Sequence, residues 1–153
     1  GLLLVDPSGD GRMLPNEIIE PFLAALQSDD YLRTIRDYWQ TLLVGSSQVV
    51  AERVMNDLYA TPKDVVAGAF RDSLLFDPVS MLQRYSGPKL SVISHLNDAP
   101  YSLHNLVSDL PFIKISGTGH WLQMDQPDEF NWILDQFLHS VEGGGKWPED
   151  GGR

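Results

Sequence analysis

Three short, largely apolar runs, "GLLLV", "LSVI" and "FIKI", stand apart in a chain whose other apolar residues recur at helical spacing. A run of this kind, bounded by turn formers, suits a strand buried on both faces. Helical segments between such strands place them parallel. "GLLLV" ends at Asp6-Pro7-Ser8-Gly9, a turn signal. A long excursion without strand pattern follows before "LSVI" at Leu90–Ile93, and "FIKI" at Phe112–Ile115 comes soon after. The order is one strand, about five helices, a strand, a short helix, a strand and a helix. The fold class is therefore α/β, with about three parallel strands, flanking helices and an inserted all-helical segment. Three strands are few for an open parallel sheet covered on both faces, so the architecture reads as incomplete.

Within the excursion, Ile18, Ile19, Phe22, Leu23 and Leu26 share one helical face, with a kink expected at Pro21. Asp29 or Asp30 is placed to cap a second helix, which Gly45-Ser46-Ser47 breaks. Val50, Val54, Met55 and Leu58 predict a third helix, Thr61-Pro62 opens a fourth and Asp77-Pro78 a fifth. The last helix is expected from Pro127 to about His139, and "EGGGKWPEDGGR" reads as a flexible tail. The division that follows is a core portion at 1–13 and 85–141, a helical lid at 14–84 and a tail at 142–153.

Composition narrows the partners. Twenty-one acidic residues against 11 basic ones give a formal net charge of -10, with no Lys/Arg cluster. That argues against nucleic acid and against an anionic membrane surface. No apolar stretch is long enough to span a bilayer, and the opening residues lack the basic start of a signal peptide, so a cytoplasmic location is the expectation. Without cysteine there is no disulfide, no thiolate nucleophile and no Cys-built zinc site. No cofactor and no metal are expected.

"LLLVDPSG", "GPKLSVISHLNDAP" and "FIKISGTGHWLQMDQPDEFNWILDQFL" together resemble the C-terminal half of a lidded α/β-hydrolase, across nearly the whole chain apart from the tail. The last segment is the most specific: a Gly-x-Gly-His after a strand, then acid-Gln-Pro and an amphipathic helix. The resemblance implies a partial α/β-hydrolase fold, with His120 as general base and Asp98 as the acid that orients it. Such chemistry needs the pair, because a hydroxyl attacks well only when a base takes its proton, and the imidazole needs a carboxylate to fix its tautomer. The family's nucleophile elbow has no counterpart here, since no Gly-x-Ser-x-Gly occurs. The resemblance thus implies an esterase- or lactonase-like hydrolase represented by its acid/base half and inactive alone, its small ester-like substrate turned over only with an N-terminal half. An aspartate nucleophile there would instead serve dehalogenation or epoxide opening. An open sheet edge, with "GLLLV" as the exposed strand, predicts a homo-oligomer or other non-catalytic self-association.

Other residues invite sharper readings. Asp6, Ser8, Asp10, Gly11 and Glu17 fall at positions 1, 3, 5, 6 and 12 of a calcium loop, but Leu14 occupies the ninth and "GLLLV" is no entering helix. Ser8 and Ser116 sit in Gly-rich turns, not on a strand-turn-helix elbow. His95, His104 and His139 read as structural or surface residues. Tyr31, Tyr38, Trp39 and Phe70 are expected to form helical core or line a pocket in the lid.

Overall fold

The computed structural model describes residues 1–143. Most of the expected tail lies outside the described residues. The three apolar runs form β1 (Leu2–Val5), β2 (Lys89–Ile93) and β3 (Phe112–Lys114), a parallel sheet in the order β1-β2-β3. Leu3 pairs with Leu90, and Val92 with Ile113. β2 is buried along its whole length because it has a strand on each side and helices on both faces.

Between β1 and β2 lie α1 (Asn16–Gln27), α2 (Tyr31–Leu42), α3 (Gln48–Ala60), α4 (Lys63–Leu75) and α5 (Pro78–Arg84). α6 (Leu103–Leu106) precedes β3, while α7 (Leu122–Asp125) and α8 (Pro127–Glu142) follow it. Of the expected start signals, Asp77 acts as a cap, its carboxylate accepting the Ser80 N–H. Asp30 makes no side-chain cap, and the Thr61 hydroxyl donates back to the Asp57 carbonyl. α3 is capped instead by the Ser47 hydroxyl, which accepts the Val50 N–H. Pro21 does not end α1, which runs on to Gln27. The proline leaves only the Glu17 carbonyl without its helical donor.

Alternation along the strands sends side chains to two separate cores. Leu90 and Val92 join Ile115, Leu122, Ile133 and Phe137 beneath α8. Leu2 and Leu4 turn the other way, onto Leu82, Leu103, Val107 and Leu110. Full burial of such a side chain stabilises by roughly 1.5–3 kcal/mol. Lys89 opens β2 from a buried position and donates to the Leu82 and Tyr85 carbonyls, which tethers the end of α5 to the sheet. The inserted helices have a third core of their own, built on Leu26, Tyr31, Ile35, Leu58 and Val66. On β1, parallel geometry directs Leu2, Leu4 and Asp6 toward β2 and leaves the N–H and C=O of Leu3 and Val5 facing an edge that no described strand covers.

Candidate functional site

The backbone turns sharply where β1 ends. Asp6 has φ 43°, and among the described residues it is the one non-glycine with positive φ. Aspartate tolerates this left-handed conformation better than most residue types. The turn directs its carboxylate into the protein, where the residue is 0% exposed. A carboxylate buried so deeply has to be met by donors. One oxygen accepts the Ser94 N–H at 2.6 Å. The other accepts the Ser94 hydroxyl at 2.9 Å and faces His120 Nδ1 at 2.7 Å.

His120 comes from the loop after β3. Because the carboxylate oxygen only accepts, Nδ1 carries the proton in this contact, and Nε2 is left with its lone pair. Nε2 has no hydrogen-bond partner among the described residues, and the side chain is 28% exposed. The site thus holds an imidazole aligned from behind by a buried carboxylate, with Nε2 unpartnered among the described residues. That is the arrangement needed to take a proton from an attacking group and hand it to a leaving group.

Asp98, expected to orient His120, has different partners. It follows a 3-10 turn at His95–Asn97, and its carboxylate meets the Lys114 ammonium and His104 Nε2, the latter at 3.3 Å. Lys114, and secondarily His104, hold it below the usual carboxylate range. The histidine loop instead meets the end of α2, where the His120 N–H bonds the Leu42 carbonyl, and the end of β1, where its Nδ1 faces Asp6. The helix after Asp98 is as short as the spacing implied, with four residues in α6.

The remaining candidates fall in different places. His104 is buried in α6 with its ring 4.3 Å from that of Phe112, and His139 is exposed on α8, its Nδ1 bonded to the Asp135 carbonyl. His95 is exposed. Ser8 and Ser116 are both exposed, and neither bonds His120. The calcium-loop residues do not converge: Asp6 serves Ser94 and His120, while Asp10 and Asp77 share Arg12. Among the described residues no cluster of three or more His, Cys, Asp or Glu side chains could hold a metal ion.

Beside the pair lies a cavity of about 470 Å³ between α3, α4 and the histidine loop, lined largely by Trp39, Val54, Leu58, Phe70, Trp121 and Met124. Trp39 and Phe70 therefore form pocket wall, as the lid pattern allowed, while Tyr31 is plain core. Trp121 is the shared wall. Its ring stands edge-on to His120 with centroids 5.0 Å apart, and it also meets Trp39 at 6.2 Å. His120 itself does not line the cavity, so base and cavity are neighbours across one indole.

Sequence reasoning passed over Asp6 as an acid. The signal lies in "LLLVDP", an acid at the immediate end of an apolar strand, where the local pattern points to a turn former or a calcium-loop residue. Compared with known proteins, the chain matches no family model, and no curated protein is significantly similar to it.

Proposed function

We propose that these residues supply the base, its orienting acid and the apolar-walled cap of a hydrolase acting on a small or moderately apolar ester, lactone or amide. The observation that carries the reading is the 2.7 Å contact between buried Asp6 and His120, with Nε2 left open. His120 takes a proton from a nucleophile brought to Nε2 from outside the residues that touch it here. The buried carboxylate stabilises the imidazolium formed, and the proton passes to the leaving group. The neighbouring aromatic-walled cavity suits the apolar part of such a substrate. The resemblance of the final segment to the histidine loop of α/β-hydrolases supports the same reading.

General-base help from a placed side chain reaches about 10²–10⁴-fold in a complete site. Productive turnover is not expected without a placed nucleophile, but water can serve as the attacking group. A residual hydrolysis of p-nitrophenyl butyrate severalfold faster for these residues than for His120→Ala is therefore expected, far below a complete site. Equal rates in a folded variant remove the base from the reading. Intact mass after a fluorophosphonate probe is expected to be unchanged. A His120-dependent adduct would instead place the nucleophile within these residues.

The open edge of β1 favours a second reading, in which the chain associates with a copy of itself through strand pairing. Light scattering is then expected to give a dimer or larger. A clean monomer at all concentrations removes this reading.

A further inference from the structure

Neither the pair nor the cavity accounts for Asp125, the last residue of α7. Its half-buried carboxylate gathers three donors from two separate parts of the chain. Oδ2 accepts the Ser46 hydroxyl at 2.8 Å and the Gly119 N–H at 3.1 Å, while Oδ1 accepts the Ser47 N–H at 2.8 Å. Gly119 immediately precedes His120, and Ser46 and Ser47 form the corner between α2 and α3. Hydrogen bonds to an ionised carboxylate are stronger than neutral ones, so three on one half-buried aspartate hold together the segments that donate them.

Two glycines show how closely the corner and the loop are pressed together. Gly45 has φ +94°, and a Cβ there would lie 2.7 Å from the Thr118 carbonyl oxygen. A Cβ on Gly119 would lie 2.2 Å from the Ser46 hydroxyl and 2.8 Å from the Leu42 carbonyl oxygen. The backbones touch, and the His120 N–H completes the seam on Leu42 at 2.8 Å.

We propose that Asp125 is a positioning residue: it ties the α2–α3 corner to the histidine loop and thereby sets the His120 ring against Asp6. This rests on the reading of His120 as a base. The tautomer of that base then depends on how the inserted helices are seated, and the helix that carries the tie also carries Met124, a wall of the cavity.

Imidazole nitrogen spectra of the labelled full chain test this without any reaction. The parent is expected to show His120 as the Nδ1–H tautomer with that proton protected from exchange. Asp125→Ala and Gly45→Ala are each expected to give a mixture of tautomers and loss of the protected proton, although the second changes no charge. Ser46→Ala, which deletes one donor of three, is expected to give a smaller shift in the same sense and serves if the others fail to fold. Asp128→Ala, exposed at the start of α8, is the silent control. A shift with Asp125→Ala but none with Gly45→Ala or Ser46→Ala makes the effect one of charge and overturns positioning. No shift in any variant overturns it as well. The ester assay can fail while these spectra come out as expected, and the reverse, so the two ideas fall separately.

Discussion

Asp6 and Asp98 follow neighbouring strands of one parallel sheet, yet they live in opposite surroundings. Asp6 is 0% exposed and its partners are two groups of Ser94 and one imidazole. The side chain of Asp98 is 38% exposed, with an equally exposed lysine beside it. In the first loop, burial makes every donor obligatory, and the result is a carboxylate fixed behind an imidazole. In the second, water competes for the exposed Lys114 contact, so that ion pair adds little, and the carboxylate has no contact with His120. Position along the chain suggested the reverse assignment. On the proposed reading, the buried partner set favours Asp6 as the acid behind His120.

The largest expected effect comes from emptying the buried site. Asp6→Ala strands the Ser94 N–H, the Ser94 hydroxyl and His120 Nδ1 together. Each unsatisfied buried group costs about 1–3 kcal/mol, so a loss on the order of 3 kcal/mol or more is expected in urea denaturation. A loss below about 1 kcal/mol would mean water replaces the carboxylate freely, and the contrast between the two loops would vanish.

Asp6→Asn separates chemistry from stability. Asparagine tolerates the same left-handed backbone and keeps one acceptor for Ser94. Its amide can instead donate to Nδ1, which moves the imidazole proton to Nε2 and removes the free lone pair. A smaller stability loss than for Asp6→Ala is expected, together with loss of the His120-dependent ester hydrolysis. Retained hydrolysis would show that His120 works without the acid behind it.

How much of this was readable in the chain depended on range. Strand and helix order came from local apolar period, which short segments carry by themselves, so "LSVI" and "FIKI" were found nearly in register. The cap at Asp77 is local too. The candidacy of His120 rests on the glycines around it and the helix after it, which are local as well. Which of the two acids meets His120 is not local, because the contact joins Asp6 to His120 across 114 residues of sequence separation. The tie through Asp125 to Ser46 and Ser47 is also remote in sequence, and nothing near Asp125 announces it.

The smallest effect belongs to Asp98, and its pH dependence gives the contrast its sharpest form. Lys114 and His104 lower its folded value below the unfolded one. A depressed acid contributes stability above its unfolded value and loses it as pH falls through the folded value. Stability of the parent should therefore exceed that of Asp98→Asn modestly near neutral pH, and the gap should close as the solution is acidified below about pH 4. Added salt should narrow it further, since Asp98 and Lys114 both face solvent. Ester hydrolysis dependent on His120 should be unaffected. A variant of Asp98 that abolished that hydrolysis while leaving the fold intact would return the orienting role to Asp98 and leave Asp6 as a structural acid.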